Sequence, residues 1–182
     1  MKKAFVLLGS YNDDGYTKKA LNLFMDKAKK DYEFEVFNAF KTPVKPCIGC
    51  KNCEKNSFCI YDDFEHIDNA LKTSDLLIVA TPVYNLSFPA PLKAVFDRMQ
   101  IYFNDRFTRN IKPPISKHKK SVLILTCGSD EKTASNIITT QLNMIFTIIN
   151  ATLTNTLILS HTDNNPDINT LIPKIDLILK DL

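Results

Sequence analysis

Short apolar segments recur along the chain, and most of them lack the alternation expected of a sheet with one face in water. They lie at residues 4–8, 33–37, 76–80, 122–126 and 156–160. Continuous runs rich in valine, isoleucine and leucine are typical of parallel strands buried on both faces. The pattern therefore predicts five parallel strands.

Amphipathic stretches follow the strands, as a helix-strand alternation requires. Apolar or small residues share one helical face at Thr17, Ala20, Leu21, Phe24 and Ala28, and again at Leu92, Val95, Phe96 and Met99. Residues 168–182 keep a three-four apolar spacing, and Pro173 suits the first turn of a helix if Asn169 is its N-cap. Strand-helix repeats with right-handed crossovers predict an α/β fold, a doubly wound parallel sheet with helices on both faces.

Length and composition fit one globular domain over residues 1–182. The net charge of +3 is spread along the chain and indicates no nucleic-acid or membrane surface. No apolar run approaches the roughly 20 residues of a membrane helix, and the first apolar run stops at Gly9, as in a strand rather than an export signal. Because four of the five cysteines crowd into one segment, we expect a reducing compartment, the cytoplasm.

The loop at residues 9–17 runs from the first strand directly into the first helix. In a doubly wound sheet, ligands bind outside the carboxyl ends of the strands. A phosphate there would meet backbone N–H groups, the hydroxyls of Ser10 and Thr17, and the positive end of the helix dipole. Dinucleotide and P-loop glycine motifs are absent. The alternative is an ordinary turn in which Ser10 and Thr17 only cap the helix.

A second loop, residues 80–93, follows the third strand and contains three prolines, which stiffen it. Tyr84 offers an aromatic face, and Asn85 offers a hydrogen-bond donor and an acceptor. These groups suit a planar heterocycle with polar edges, such as an isoalloxazine. The alternative is a proline-stiffened turn with Tyr84 packed in the core.

Four cysteines, Cys47, Cys50, Cys53 and Cys59, follow the spacing C-x2-C-x2-C-x5-C. Four thiols this close suggest a metal or an iron-sulfur cluster. A metal-free loop and a redox disulfide between Cys47 and either Cys53 or Cys59 are alternatives, and zinc ranks lower because it favours two separated pairs. Cys127 stands apart and is expected to be a small buried residue.

The strings at residues 81–84 and 92–98, TPVY and LKAVFDR, resemble the P-x-Y and L-K-x-F-x-D-R signature of the NADPH-dependent FMN reductase family. Gly9-Ser10 with Gly15-x-Thr17 is similar to the phosphate loop of that family. The cysteine spacing resembles that of the iron-sulfur flavoproteins, in which such a motif ligates a [4Fe-4S] cluster. The resemblance implies a flavodoxin-like three-layer α/β/α sandwich with strand order 2-1-3-4-5.

The resemblance also implies roles for individual residues. Ser10, Asn12, Tyr16 and Thr17 would hold the FMN phosphate; Pro82, Val83, Tyr84 and Asn85 would line the isoalloxazine; Thr126, Cys127 and Gly128 would touch its other side. By the same resemblance Cys47, Cys50, Cys53 and Cys59 would hold a cluster. Lys93, Asp97 and Arg98 are expected on the polar face and at the end of their helix.

The function implied is an FMN-dependent oxidoreductase that passes reducing equivalents from NAD(P)H to a quinone, flavin, nitroaromatic or protein acceptor. Because the cofactor supplies the chemistry, no catalytic acid or base is assigned. A homodimer is implied, with Tyr102, Phe103 and Phe107 as candidates for its apolar contact. The alternative is a flavodoxin-like electron carrier or redox sensor with no substrate of its own.

Overall fold

The computed structural model describes residues 1–130 and 132–182 and contains one five-stranded sheet among them. Its strands are β1 (Lys2–Leu8), β2 (Tyr32–Asn38), β3 (Leu76–Pro82), β4 (Lys119–Thr126) and β5 (Ala151–Leu159). All neighbouring strands are parallel, in the order β2-β1-β3-β4-β5. The predicted doubly wound sheet and its strand order are confirmed.

The three central strands are buried almost throughout, which explains why they read as unbroken apolar runs. The edge strand β5 begins earlier than the apolar run predicts, at Ala151 rather than at residue 156. Its first half carries Thr152, Thr154 and Asn155, polar residues that an edge strand tolerates on its partly exposed face. The prediction of its start was wrong for that reason.

Helices cover both faces of the sheet. They are α1 (Tyr16–Ala28), α2 (Asn52–Lys55), α3 (Glu65–Thr73), α4 (Ala90–Arg98), α5 (Gln100–Phe107), α6 (Lys132–Ile148) and α7 (Ile172–Asp181). Alternate residues of β1 separate into two cores: Val6 packs with α1 and α7, and Phe5 with α3 to α6. Among the described residues, no helix combines the length and the apolar character needed to cross a membrane.

The final helix begins later than the apolar spacing predicts. Residues Ile168–Leu171 form a 3-10 turn, and α7 follows with Pro173 in its first turn. Asn169 caps neither element: the N-cap of the 3-10 turn is Asp167, whose carboxylate accepts a hydrogen bond from the Asn169 backbone N–H at 3.0 Å, and the N-cap of α7 is Leu171, which makes no side-chain cap hydrogen bond. The predicted cap was therefore wrong, whereas the predicted place of Pro173 is correct.

Candidate functional site

Three loops meet where β1, β3 and β4 end. The Gly9 N–H donates to Ala80 O at 2.8 Å, and the Val83 N–H donates to Thr126 O at 2.9 Å. The hydroxyls of Thr17 and Thr126 are hydrogen-bonded to each other at 2.6 Å in a buried position. The fold thus brings together residues 10–17, 82–85 and 126–128, the three segments that the sequence singles out.

The start of α1 has the properties of an anion cradle. Its N-cap is Gly15, which has no side chain to satisfy the first backbone N–H groups of this 13-residue helix. The buried hydroxyls of Ser10 and Thr17 lie on the same loop and first turn. Gly9 keeps the backbone close to α4, since a Cβ there would lie 2.6 Å from Leu92 Cδ2. These features fit a phosphate group.

One of the two acidic residues of this loop, Asp13, is paired with a cation. The Asp13 carboxylate forms an ion pair with Lys41 Nζ at 2.5 Å, and this hydrogen bond holds the Asp13 pKa below its ordinary value. Asn12 Oδ1 accepts from the Asp14 N–H at 3.0 Å and so shapes the turn. Asn38 Nδ2 donates to Ser10 O at 3.1 Å, a support that the sequence reading missed.

The second loop closes in a tight hairpin turn. The backbones of Tyr84 and Ser87 exchange two hydrogen bonds of 2.9 Å, and both residues between them, Asn85 and Leu86, have positive φ of 50° and 59°. This is the geometry of a type I′ turn. Tyr84 is 54% exposed, so the alternative in which it packs in the core is wrong. The turn presents an aromatic ring and an apolar side chain beside the cradle.

The third loop, residues 126–128, packs against residues 161–165, a segment that the sequence did not single out. The Thr162 N–H donates to Cys127 O at 3.1 Å, and a Cβ on Gly128 would collide with the Asp163 carboxylate. The Tyr16 hydroxyl donates to Asn165 Oδ1 at 3.4 Å. The available signal was the polar run of residues 161–165 directly after the last strand, at the same sheet edge. As predicted, Cys127 is buried.

The four cysteines of the predicted cluster motif border one cavity of about 670 Å³ beside α4 and α5. Cys47 and Cys50 are exposed, Cys53 and Cys59 are half-buried, and all four are thiols, so the proposed disulfide pairings are not formed. Within the described residues, no group of three or more His, Cys, Asp or Glu side chains is arranged to hold a metal ion. The donor set suits a cluster in kind, but its geometry here does not fit one.

Arg98 is the last residue of α4, as predicted, but it is buried and does not lie on the exposed polar face, which corrects that part of the prediction. Its side chain is 1% exposed, and Nη1 donates to Asp63 Oδ1 at 2.8 Å. Burial raises the Asp63 pKa, but hydrogen bonds from the Lys45 N–H and Arg98 outweigh that effect and hold the pKa below its ordinary value. Lys93 and Asp97 behave as predicted and form an exposed ion pair at 2.5 Å.

The aromatic residues of α5 divide between core and surface. Tyr102 is 1% exposed and its hydroxyl donates to Asp68 Oδ1 at 2.7 Å, so it cannot contribute to a surface contact. Its assignment to a dimer contact was wrong, because α5 turns this ring toward α3. Phe103 and Phe107 are exposed, with ring centroids 4.7 Å apart.

Comparison with known proteins assigns the family. Residues 2–164 match the model of the NADPH-dependent FMN reductase family, and the chain belongs to that family. It is 35% identical over 83 residues to an iron-sulfur flavoprotein from Methanosarcina thermophila, a match that covers 44% of each chain. It is 38% identical over 58 residues to an FMN-dependent NADH:quinone oxidoreductase from Coprothermobacter proteolyticus, covering 31% of this chain and 29% of that one.

The fold has close structural neighbours. The crystal structure of an azoreductase from Bacillus anthracis superimposes with a TM-score of 0.74, covering 100% of both chains at 14% identity. This agreement shows the flavodoxin-like fold. The matched part spans less than half the length of the iron-sulfur flavoprotein relative, so the resemblance to that protein is partial.

Proposed function

We propose that this protein is an FMN-dependent oxidoreductase that passes reducing equivalents from NAD(P)H to a small acceptor such as a quinone. The observation that carries the proposal is the convergence of three loops, joined by the Thr17–Thr126 hydroxyl pair, at the carboxyl edge of the sheet. Family membership supports FMN as the cofactor. Bound FMN supplies the hydride chemistry, and the protein supplies binding, orientation and electrostatics.

Ser10, Asn12, Tyr16 and Thr17 would bind the phosphate. The uncapped N–H groups at the start of α1 and the helix dipole both favour an anion at this position. Lys41 balances the nearest carboxylate, Asp13, and so lowers its repulsion of a phosphate. The half-exposed Tyr16 ring, with its hydroxyl on Asn165, would close the side of the cradle.

Pro82, Val83, Tyr84 and Asn85 would line one side of the flavin ring. The Val83 N–H is already bonded to Thr126 O, which fixes this segment to β4, and the type I′ turn holds Tyr84 outward. Thr126, Cys127 and Gly128 would line the other side. Exposed Tyr84 and Leu86 provide apolar surface on which a flat acceptor can stack.

The cysteine motif takes no part in the proposed reaction. One relative of this chain is named an iron-sulfur flavoprotein. Within the described residues, however, the four thiols of this chain do not converge as a metal site. We propose a reducing cytoplasm as the compartment because four of the five cysteines crowd into one segment of the sequence. We also propose a homodimer, in which the exposed pair Phe103 and Phe107 would be buried.

Turnover separates this proposal from the electron-carrier alternative. The purified protein is saturated with FMN, and oxidation of NADH and of NADPH is followed with a quinone, a nitroaromatic and free FMN as acceptors. The proposal expects steady-state turnover that depends on both nicotinamide and acceptor. Bound FMN that is reduced without multiple turnovers would favour the carrier.

A further inference from the structure

A turn at the end of β2, residues 38–42, packs against the first loop of the candidate site, which we call the phosphate loop (residues 9–17). Three side-chain contacts join the two segments: Asn38 with Ser10, Phe40 with Tyr11, and Lys41 with Asp13. The turn is itself fixed to the sheet, because the Ala39 N–H donates at 2.9 Å to Leu8 O, at the end of β1. A segment outside the three converging loops therefore supports one of them.

The side chain of Asn38, the last residue of β2, is held in one orientation. Its Oδ1 accepts hydrogen bonds from the Phe40 N–H at 2.9 Å and from the Lys41 N–H at 3.3 Å. Because a side-chain amide carries its acceptor and its donors on separate branches, these two bonds point Nδ2 away from the turn. Nδ2 donates instead to Ser10 O at 3.1 Å. Asn38 thus links the shape of the turn to a carbonyl of the phosphate loop.

The turn keeps its shape through a second set of bonds, made to the backbone carbonyl of Asn38. That oxygen accepts from the Lys41 N–H at 3.1 Å, from the Thr42 N–H at 3.0 Å and from the Thr42 hydroxyl at 3.1 Å. Asn38 is therefore bonded within the turn through both its side chain and its backbone. Its bond to Ser10 O leaves the turn and reaches the phosphate loop from a fixed position.

The carbonyl of Ser10 and the N–H of Tyr11 belong to the same trans peptide group. In a trans peptide these two bonds point in opposite directions, so the hydrogen bond from Asn38 to Ser10 O directs the Tyr11 N–H away from that side chain. Among the residues that the structure describes, the Tyr11 N–H has no acceptor. An unpaired backbone donor in a loop that leads into a helix is a group that an anion can satisfy.

Other contacts hold the phosphate loop near this peptide. The Tyr11 ring is 70% exposed and meets the Phe40 ring edge-on, with the ring centroids 6.2 Å apart. The Asp13 carboxylate, two residues further along, is paired with Lys41 Nζ at 2.5 Å. These contacts at and after the Ser10–Tyr11 peptide resist a rotation that would turn its N–H elsewhere.

We propose that Asn38 is a positioning residue for the phosphate of the bound flavin, and that it fixes the Ser10–Tyr11 peptide so that the Tyr11 N–H donates to that phosphate. The assignment rests on the proposed function, since it takes FMN as the ligand. It adds Asn38 and Tyr11, which the sequence pattern does not single out. Asn38 acts through the peptide and does not itself bind the phosphate, so its effect is confined to flavins that carry a phosphate group.

Comparison of FMN with riboflavin, which lacks the phosphate, separates positioning from general support of the fold. Each flavin is titrated into the flavin-free protein, and the change in flavin fluorescence gives the dissociation constant. In Asn38→Ala the constant for FMN should rise about tenfold and that for riboflavin less than about twofold, because the hydrogen bond that is weakened involves the charged phosphate. Equal weakening of both flavins, or no weakening of either, would overturn the positioning role.

Thr42→Val is the matched control within the turn. It removes the hydroxyl that donates to Asn38 O and leaves the bond from Asn38 Nδ2 to Ser10 O in place. The proposal expects this variant to bind FMN as tightly as the wild type. A loss of FMN affinity as large as that in Asn38→Ala would mean that the shape of the turn, and not the donor bond to Ser10, is responsible, and would overturn the assignment.

Inorganic phosphate tests the Tyr11 N–H without any flavin. Phosphate is titrated into isotope-labelled, flavin-free protein, and the backbone amide resonances are followed by NMR. The Tyr11 resonance should shift in the wild type and lose most of that shift in Asn38→Ala. A Tyr11 resonance that does not respond in the wild type would overturn the proposal. A protein that shows this response but binds neither flavin would contradict the proposed function while supporting the role of Asn38 in anion binding.

Discussion

The hydroxyl of Thr17, in the first turn of α1, lies 2.6 Å from the hydroxyl of Thr126, the last residue of β4. Both side chains are buried, so the pair ties the start of the helix to the carboxyl edge of the sheet. One hydroxyl can donate to the other while the second donates to a bound anion. A contact between residues 109 positions apart thus orients one phosphate-binding group of the proposed flavin site.

Replacing Thr17 by valine keeps the shape of the side chain and removes the hydroxyl. We expect the dissociation constant for FMN to rise about tenfold, because a hydrogen bond to a charged group is worth roughly 1.5 kcal/mol or more. Fluorescence titration of the flavin measures this change. Thr140→Val is the matched control, since among the described residues the Thr140 hydroxyl bonds within α6, to Asn136 O at 2.8 Å. Equal losses in both variants would contradict the assignment.

Leu86 is held at a positive φ of 59°, which is unfavourable for a side chain with a Cβ. Leu86→Gly creates an Asn-Gly sequence, the preferred pair for a type I′ turn. We expect the free energy of unfolding to rise by about 1 kcal/mol, measured by urea denaturation. Leu86→Ala keeps the strain and should give no gain, so a stabilised alanine variant would show that the φ angle is not the cause.

Gly9 lies where the first loop passes α4. A Cβ at this position would be 2.6 Å from Leu92 Cδ2 and 3.1 Å from Thr81 Oγ1. Gly9→Ala should therefore lower the free energy of unfolding by about 1–3 kcal/mol through overpacking. The control is the same substitution in a Leu92→Ala background, which removes Cδ2 and should make Gly9→Ala much less costly. An equal cost of Gly9→Ala in both backgrounds would argue against the tight packing.

Lys119 is 1% exposed at the start of β4, and burial lowers its pKa from the ordinary value of 10.5 to about 8. Between these values the unfolded chain keeps the proton and the folded chain does not, so this residue makes stability rise with pH across that window. Below pH 8 the buried charge costs stability in full. Lys119→Met should therefore be more stabilising at pH 7 than at pH 10.

Thermal unfolding at the two pH values, with a reductant present, measures this difference. Lys120→Met is the control, because that neighbouring side chain is exposed and bonds to Asp181 O near the end of α7. We expect the control to keep the wild-type dependence on pH. A gain from Lys119→Met that is the same at pH 7 and pH 10 would contradict the lowered pKa.

The strands and the loops at their carboxyl ends are readable from the sequence because local pattern determines them. Buried strands such as β3 are continuous apolar runs, and parallel topology then places their loops at one edge. The start of β5 escaped prediction because an edge strand accepts polar residues. The burial of Arg98 depends on Asp63, 35 residues away, and the burial of Tyr102 on Asp68, and no local pattern reveals such pairs.

The cysteine spacing predicts where the four cysteines lie but not how their sulfur atoms are arranged. It correctly predicts that Cys47, Cys50, Cys53 and Cys59 lie together, since they border one cavity. Spacing along the chain does not fix where the sulfur atoms point, because the backbone between them bends at Gly49 and Lys51 with positive φ. The Cys53 sulfur accepts a hydrogen bond at 3.1 Å from Asn104 Nδ2 on α5, 51 residues further along the chain, and the cysteine spacing gives no sign of this contact.

The central claim, an FMN-dependent oxidoreductase, is tested most directly by the visible spectrum of the protein purified without oxygen, recorded before and after addition of NADH or NADPH and then of a quinone. The account predicts the absorption bands of oxidised flavin, their bleaching by the nicotinamide and their return with the quinone. A protein that neither retains nor binds added FMN, or whose bound flavin is not reduced by either nicotinamide, would contradict it.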